Sequence, residues 1–422
     1  MQSPDMQSHC ASPGSPRSLP LAGIRVVEFS HMVMGPTCGM ILGDLGAEVV
    51  KVEPPGGDKT RSLPGVACGF FRTFNRNKKS LAIDMGHPDG LAAVHELVAT
   101  ADVMIENFRP GLMKRHGLDY AALAAKHPRL VYLSLKGFLP GPYENRTALD
   151  EVVQMMAGLA YMTGPAGRPL RAGSSVNDIM GGMFGVIGIL AALRTRDETG
   201  RGQEIQSGLF ETCALLSAQH MQQYAVSGEA PRPMPERKAG YGIYDIFEVR
   251  DGEQIFLGVV SDGQWTTFCR VFGFDDFAAD ARLAGNTGRC ASRDWMLPEV
   301  RRRLAAYGKE ELAAIFDRNG LPYAPISRPE ELFDDAHLNR SGGFATLVTE
   351  TVEETRLPLL PLTMGGRRLG PRMALPAVGA QTAEVLAAIG YSPAEVERLA
   401  AGGIVVADAS RVPGRAAGQL AS

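Results

Sequence analysis

Between Asp178 and Arg194 the sequence runs from Ile179 to Leu193 without a charged residue. This composition predicts a helix that is buried nearly all round, because an amphipathic surface helix would carry polar residues along one face. The run is shorter than the roughly 20 apolar residues that cross a bilayer, and Arg194 and Arg196 close it. We therefore expect a core helix and no membrane partner.

Asp178 stands at the start of this predicted helix, shortly before Gly181 and Gly182. Two roles are open for it. Asn177 and Asp178 are favoured N-cap residues, which bond the free amide protons of a first helical turn, and from this segment alone capping is the favoured interpretation. The other role is that of an exposed carboxylate nucleophile beside glycines.

Composition limits the class of protein. With 422 residues and 45% hydrophobic content the chain has enough apolar material for a large core, and its length predicts about two or three domains. The net charge of -3 and the pI near 6.3 differ from the concentrated basic balance that is typical of nucleic-acid binding. A soluble globular protein without a nucleic-acid partner is expected.

Cysteines and histidines do not indicate a metal or redox site. The six cysteines include no C-x-x-C pair, which fits reduced thiols in the cytosol rather than a disulfide framework. The eight histidines form no H-E-x-x-H or H-x-H motif, so no metal site is predicted. Residues 1–19 lack the regions of a signal peptide and are predicted to be a disordered tail, so a cytoplasmic location is expected.

Strands alternate with helices in the amino-terminal half. The predicted strands are Ile24–Phe29, Ala47–Val52, Val103–Ile105 and Leu130–Ser134, and the predicted helices are Thr37–Leu45, Pro88–Thr100 and Tyr120–Lys126. This alternation predicts a Rossmann-like, doubly wound parallel α/β sheet that binds ligands at the carboxyl ends of its strands. The turn Ser30–Thr37 lacks the G-x-G-x-x-G spacing, which disfavours a nicotinamide dehydrogenase.

The character of the sequence changes after Val226. Residues 227–243 are rich in Pro, Arg and Gly and are predicted to link a large domain, residues 20–226, to a smaller α+β domain, residues 244–340. The small domain should open with a hairpin whose turn contains Asp251 and Gly252. Helices are predicted around 265–272, 298–307 and 310–318. Residues 341–422, with a predicted helix over Gln381–Leu399, are expected to return to the large domain.

Several blocks, taken in order, resemble family III CoA-transferases, the group of formyl-CoA transferase and the CaiB/BaiF proteins. These blocks are Leu21–Phe29, Leu42–Asp58, Asn75–Asp84, Glu106–Gly111, Ser134–Phe138 and Thr199–Gln203. The likeness continues through Tyr244 and Trp265, so it covers about residues 20–400. One block alone would be weak evidence for the resemblance, whereas the whole set in this order is specific to the family.

The resemblance implies that Asp178 is the nucleophile of a CoA transfer. In this family the matching aspartate attacks the thioester carbonyl of an acyl-CoA, and the groups exchange through a mixed anhydride and an aspartyl-CoA thioester. Coenzyme A is then a co-substrate, and no permanently bound cofactor is expected. First-turn amides would keep the carboxylate ionised and stabilise an oxyanion, while Gly181 and Gly182 would leave room for the thioester.

The resemblance also implies a path for CoA. The expected contacts are Ile83, Asp84, Met85, Asn107, Phe108, Arg109, Arg115, Leu135, Lys136, Gly137 and Phe138. Arg115 and Lys136 would supply positive charge, although an isolated surface cation is more often simply solvated. Two positions depart from the formyl-CoA enzymes: Pro54 replaces an arginine, and Lys238–Gly242 replaces a run of glycines over the active site.

Two other functions are open. The α-methylacyl-CoA racemases share the fold and the aspartate, but pair it with a histidine in a Gly-His-Asp motif. Here that stretch reads Ala148-Leu149-Asp150, and leucine cannot move a proton. A catalytically inactive CoA-binding scaffold would bind CoA without acyl transfer, and the intact segment around Asp178 argues against it.

The acceptor and the assembly are also suggested by resemblance. Tyr143–Met156 is similar to mesaconyl-CoA C1-C4 CoA transferases, which move CoA within one C5 dicarboxylate, so short dicarboxylic acids are expected as substrates. Arg146 or Arg171 could pair with a second substrate carboxylate, and a structural ion pair is equally open for each. The family further implies an interlocked homodimer, in which two protomers are threaded through one another.

Overall fold

The structure, a computed structural model, describes residues 19–236, 240–348 and 354–407. These residues divide into two compact units, one drawn from Met1–Pro235 and Arg340–Ser422 and the other from Glu236–Asn339. Most of the tail expected over residues 1–19 lies outside the described residues, as do Lys238 and Ala239 and the chain end after residue 407.

The larger unit contains a seven-stranded sheet. Its parallel strands are β1 (Arg25–Phe29), β2 (Glu48–Glu53), β3 (Lys78–Ile83), β4 (Val103–Glu106), β5 (Val131–Lys136) and β6 (Glu204–Gly208). A short strand, β14 (Val405–Val406), adds antiparallel to β3, and the strand order is β14-β3-β2-β1-β4-β5-β6. The predicted parallel α/β sheet is therefore confirmed.

One face of the sheet carries the core that includes the uncharged helix. Successive residues of a strand face opposite sides of the sheet, and Val26 and Leu133 belong to the core on this first face. The helices of this layer are α1 (Met34–Asp44), α6 (Asp150–Met156), α7 (Leu159–Thr163), α8 (Val176–Thr199) and α9 (Leu209–Ser227).

The opposite face carries a second core, to which Val27 and Met104 belong. Its helices are α3 (Pro88–Ala99), α4 (Leu112–Arg115), α5 (Tyr120–Ala124), α16 (Thr382–Ala388) and α17 (Pro393–Ala401), and the short α2 (Phe70–Phe74) connects β2 to β3. Helices thus cover both faces of the sheet, which places ligand access at its edges.

The carboxyl-terminal segment packs against the larger unit. The amides of Arg372 and Met373 donate to the side-chain oxygen of Asn77, at 2.5 and 3.1 Å. The predicted single helix Gln381–Leu399 is wrong, because Gly390 takes a φ of 104° and Ser392 caps a new helix. Short strands precede these helices: β10 (Phe344–Leu347), β11 (Thr355–Pro358), β12 (Thr363–Met364) and β13 (Arg367–Arg368).

The smaller unit is built on an antiparallel sheet of β7 (Ile243–Glu248), β8 (Gln254–Val259) and β9 (Tyr323–Pro325). The predicted hairpin is confirmed, and Gly252 supplies a positive φ of 74° in its turn. The helices are α10 (Asp262–Phe272), α11 (Asp275–Ala279), α12 (Asn286–Ala291), α13 (Arg293–Leu304), α14 (Lys309–Asn319) and α15 (Ala336–Arg340). The predicted helix start at Pro298 is wrong, since this residue lies inside α13.

Glycines bring α8 close to α1. A side chain at Gly182 would lie 2.6 Å from the backbone oxygen of Met34, and one at Gly181 would overlap the Met34 side chain. The expectation that these glycines leave room for a thioester is therefore wrong, because α1 fills that space. Their function in the fold is the close approach of two helices.

The expectation that α8 is buried nearly all round is also wrong. Four apolar side chains on one face, Met183, Phe184, Ile187 and Leu190, are exposed by 37% to 58%, while Ile189 on the other face is fully buried. Among the described helices, α8 is long and apolar enough to cross a bilayer. Because its other face packs into the core of the larger unit, we interpret it as a core helix.

Candidate active site

The start of α8 lies at the carboxyl edge of the sheet. Strand β1 ends at Phe29, α1 begins at Met34, and Met34 adjoins Gly181 and Gly182 near the start of α8. The strand order reverses direction between β1 and β4. Ligands of such sheets bind outside the carboxyl ends of the strands at this reversal. Asp178 therefore stands where ligand binding is expected.

Asp178 occupies the first turn of α8 but does not cap the helix. The helix begins at Val176, and the carboxylate that bonds its first amides is that of Asp150, at the start of α6. Oδ1 of Asp150 accepts the N–H of Asn177 at 2.8 Å and that of Asp178 at 3.1 Å. The Asp178 carboxylate makes no hydrogen bond within the part of the chain that the structure describes. The capping interpretation is therefore wrong.

The surroundings of Asp178 raise its pKa. Burial raises the pKa of this carboxyl from 3.8 to about 7, and the negative charge of Asp150 adds to the rise. The expectation of a carboxylate kept ionised by first-turn amides is not met, because Asp150 occupies those amides. Near pH 7 about half of the molecules carry an ionised Asp178, and that carboxylate is more basic than an ordinary aspartate.

Free backbone donors lie at the start of α1, whose Met34 adjoins Gly181 and Gly182 in α8. The N–H groups of Val33, Met34 and Gly35 donate no hydrogen bond within the described residues. A first helical turn leaves such donors free, and they favour an anion bound at that end of the helix. They can take the place of the α8 amides that the sequence analysis assigned to an oxyanion.

Buried lysines hold the loop before α1. Nζ of Lys51 donates to the carbonyl of Ser30 at 2.6 Å, and Nζ of Lys78 donates to the carbonyl of Pro36 at 3.0 Å. Lys78 also pairs with Glu28 at 2.9 Å, and burial lowers the pKa of Lys78 to about 8. One buried lysine thus holds the start of the loop, and the other holds the first turn of α1.

The same loop is tied to the turn after β4. The N–H of His31 donates to Oδ1 of Asn107 at 3.0 Å, and Nδ2 of Asn107 donates to the His31 carbonyl at 2.9 Å. The next residue, Met32, has a φ of 62°, which is uncommon outside glycine. The ring of Phe108 lies 5.6 Å from that of His31, and Arg109 is exposed. Three of the predicted CoA contacts, Asn107 to Arg109, thus lie at the strand reversal.

The predicted contacts after β5 lie on the neighbouring strand. Nζ of Lys136 pairs with Oε1 of Glu106 at 3.0 Å, so its positive charge is already balanced by a carboxylate. Leu135 and Phe138 are buried, and Gly137 has no room for a side chain. This segment can therefore offer a ligand mainly backbone groups and the Lys136 ammonium.

The remaining predicted contacts lie apart from this cluster. Ile83 is 1% exposed at the end of β3, and the N–H of Asp84 donates to the carbonyl of Ile404 at 2.8 Å beside β14. Met85 is half-buried, and Arg115 is exposed on α4 without an ion pair among the described residues. From β3 to β4 the distance is about 14 Å by strand spacing, which only an extended ligand would bridge.

The pair Asp150 and Gln154 was not predicted from the sequence as part of the site. Gln154 is fully buried; its Nε2 donates to the second oxygen of Asp150, and its Oε1 accepts the N–H of Ala172 at 2.8 Å. The available signal is their spacing, which places two polar residues on one face of a helix, where side chains four apart adjoin.

The two arginines considered for a substrate carboxylate differ. Nε of Arg171 pairs with Oε1 of Glu151 at 3.1 Å. The guanidinium of Arg146 lies over the ring of Tyr143, with its carbon 4.9 Å from the ring centre, and forms no ion pair within the described ranges. Arg146 is therefore the one of the two that is free to meet an anion.

Comparisons with known proteins bear on this site. The family model for CoA-transferase family III matches residues 21–382. A succinate–glutarate CoA-transferase of Agrobacterium fabrum is 34% identical, covering 88% of this chain and 96% of that protein. A succinyl-CoA:mesaconate CoA-transferase of Haloarcula hispanica is 33% identical, covering 76% of this chain and 83% of that protein. The crystal structure of a CaiB/BaiF family protein from Brucella suis matches with a TM-score of 0.80 and 32% identity, covering 88% and 99% of the two chains.

Removal of the Asp178 charge should stabilise the protein in a pH-dependent way. Because the pKa of folded Asp178 lies near 7, above its unfolded value of 3.8, wild type should lose stability relative to Asp178→Asn between about pH 4 and 7.5. The total loss should be on the order of 4 kcal/mol, with no further change above pH 8. Urea unfolding at a series of pH values measures it, and a difference independent of pH would contradict the raised pKa.

Proposed function

Because the chain belongs to CoA-transferase family III, we propose that it transfers CoA between short dicarboxylic acids. The observation that carries the proposal is the carboxylate of Asp178, which accepts no hydrogen bond from the described residues and lies at the carboxyl edge of the sheet, at the start of the helix that packs against α1. Relatives named for succinate, glutarate and mesaconate support the choice of dicarboxylic acids.

The transfer would proceed through covalent intermediates on Asp178. One carboxylate oxygen attacks the thioester carbonyl of the donor, the C–S bond breaks, and CoA leaves as a thiolate. The acyl group then remains on Asp178 as a mixed anhydride. The thiolate then attacks the aspartyl carbonyl, which releases the donor acid and forms an aspartyl-CoA thioester. The same two steps in reverse, with the acceptor carboxylate, give the new acyl-CoA and restore Asp178.

Each attack places negative charge on a carbonyl oxygen. The N–H groups of Val33, Met34 and Gly35 are the donors that we assign to this oxygen. A donor of this kind contributes about 100- to 1,000-fold to the rate in other acyl transfers. Only ionised Asp178 attacks, so the rate with limiting donor should rise with pH through about 7.

Coenzyme A would bind as a co-substrate along the carboxyl edge, without a permanently bound cofactor. Asn107, Phe108 and Arg109 lie nearest to the strand reversal and would meet the middle of the ligand. Arg115 would face the phosphates, because its guanidinium has no ion pair among the described residues. The segments 83–85 and 135–138 would flank the path, as the family resemblance implies.

The proposal predicts exchange of CoA among dicarboxylic acids. With succinyl-CoA as donor, the protein should form the CoA thioesters of glutarate or mesaconate, detected by liquid chromatography and mass spectrometry. Asp178→Ala should lose at least about 1,000-fold in rate, because no covalent intermediate can form. C1-mesaconyl-CoA supplied alone tests the intramolecular C1-C4 form, which would give the C4 isomer.

Undiminished transfer by Asp178→Ala would contradict the mechanism. Tight CoA binding with no transfer for any acid pair would instead indicate the scaffold function. Exchange of the α-hydrogen of a 2-methylacyl-CoA in deuterated water would indicate the racemase.

Arg146 is our candidate for the second carboxylate of the substrate. The loop that carries it leads into α6, whose first residue, Asp150, bonds the amide of Asp178. The loop therefore ends at the proposed nucleophile. A guanidinium binds a carboxylate through two parallel hydrogen bonds, and Arg146 is not engaged by a carboxylate of the described chain.

Arg146→Gln should weaken binding of dicarboxylic acceptors selectively. We expect KM for succinate to rise about 10- to 100-fold, since one charge-assisted contact is lost, while KM for butyrate changes little. Arg171→Gln is the matched control, because this arginine is paired with Glu151. Equal discrimination between succinate and butyrate in wild type and Arg146→Gln would remove the assignment.

We also propose the interlocked homodimer that the family implies. Helices α6, α7, α8 and α9 of the larger unit present many exposed apolar side chains. They are Val152, Met155, Tyr161, Met183, Phe184, Ile187, Leu190, Leu215, Met221, Tyr224 and Val226, together with Leu149 directly before α6. Monomeric proteins rarely leave so large an apolar surface in water, so a second copy is the natural cover.

A charge introduced into this surface should disrupt the dimer. Light scattering should give wild type about twice the chain mass of 45.2 kDa, and Ile187→Glu should shift it toward monomer or aggregate. Lys126→Glu, an exposed change on the other face of the sheet, should leave the dimer intact. A wild-type monomer at micromolar concentration would contradict the proposal.

The cytoplasmic location stays a prediction. Cys38, Cys68, Cys213, Cys269 and Cys290 all carry free thiols, which is consistent with a reducing compartment.

A further inference from the structure

Asp150 has an unusual place for a buried carboxylate. It is 7% exposed and bonds the first turn of a helix that begins on a different segment of the chain. Its second oxygen is bonded by Gln154, whose own carbonyl oxygen accepts the N–H of Ala172. One oxygen of this carboxylate therefore joins α6 to the start of α8, and the other is held within α6 by Gln154.

We propose that Asp150 is a positioning residue for the transfer: it takes the amide donors of α8 and so leaves Asp178 unbonded, beside a fixed negative charge. This inference rests on the proposed function, in which Asp178 is the nucleophile. It assigns no contact between Asp150 and the substrate.

The donors of the first turn of α8 are all accounted for. The N–H of Val176 donates to the carbonyl of Ser174 at 2.9 Å, and that of Ile179 donates to the carbonyl of Ser175 at 3.0 Å. The two donors between them go to Asp150. No amide of this turn remains to bond the Asp178 carboxylate, which is what an ordinary first-turn aspartate would receive.

An anion without donors is more reactive toward a carbonyl carbon. Hydrogen bonds to a carboxylate stabilise its charged form and lower its basicity. Nucleophilic strength increases with basicity, so an Asp178 that is denied donors attacks a thioester more readily than a capped one. The unfavourable charge is tolerated because the helix start itself is satisfied by Asp150.

Other charged groups near α8 do not explain the raised pKa of Asp178. The titratable groups on the elements that pack against α8 are Cys38 and Asp44 on α1, Asp150 and Glu151 on α6, Tyr132 and Lys136 on β5, Glu204 on β6, and Glu211, Cys213, His220 and Tyr224 on α9. Of these, Asp150 is the group whose charge raises the pKa of Asp178, together with burial. Glu151, its neighbour, is paired with Arg171 instead.

Asp150→Asn tests the proposal, because it keeps an acceptor oxygen for the amides and removes the charge. The acid limb of the pH dependence of kcat/KM should move down by about one pH unit or more, and kcat above pH 8 should fall about three- to tenfold. Glu151→Gln removes a charge from the adjacent position and should keep the wild-type pH profile. Asp150→Ser is a second uncharged variant with a smaller acceptor.

A direct titration separates this inference from the proposed function. Carboxyl carbon NMR with labelled aspartate gives the pKa of Asp178 in each variant, and Asp178→Asn identifies its signal. A lower pKa in Asp150→Asn supports the inference even if wild type transfers no CoA, an outcome that would overturn the proposed function alone. An unchanged titration, with only a loss of thermal stability, would reduce Asp150 to a structural cap and overturn the inference.

Discussion

The close contact of α8 with α1 determines the geometry of the site. Gly181 and Gly182 let the two helices approach until Met34 fills the space where their side chains would be. Since α1 starts directly after β1, this contact brings the start of α8 to the carboxyl edge of the sheet. A larger residue at either glycine would push α8 away from α1. Asp178 would then move away from the free amides at the start of α1.

The starts of α8 and α1 differ in whether their backbone amides are hydrogen-bonded, and this gives them different roles. The amides at the start of α8 are bonded by Asp150, whereas those at the start of α1 have no partner among the described residues. Buried Lys51 and Lys78 bond the carbonyls around the α1 loop, so the free amides are held in place from beneath. Buried charges are costly unless paired, and Glu28 pairs with Lys78. One helix start therefore holds the nucleophile and the other can receive the developing charge.

Much of the fold was predictable from local patterns, and most of the site was not. Short apolar runs predict β1, β2, β4 and β5, because such runs between turn residues are typical of buried strands, whereas β3 and β6 were not predicted. The exposed face of α8 was not predictable, since composition cannot tell a buried apolar residue from one left for a second chain. Asp150 was missed because its partners, the amides of Asn177 and Asp178, lie in a distant segment. Only the fold brings such a carboxylate and such amides together. The ion pair of Lys136 with Glu106 likewise joins two segments that are apart in the sequence.

The central claim is that Asp178 is an accessible nucleophile, and its covalent adduct is the most direct test. The protein would be mixed with succinyl-CoA, quenched in acid, and digested for peptide mass spectrometry. The account predicts CoA attached as a thioester to the peptide that contains Asp178, and no adduct in Asp178→Asn. An adduct on another residue, or active turnover with no adduct at any quench time, would contradict it.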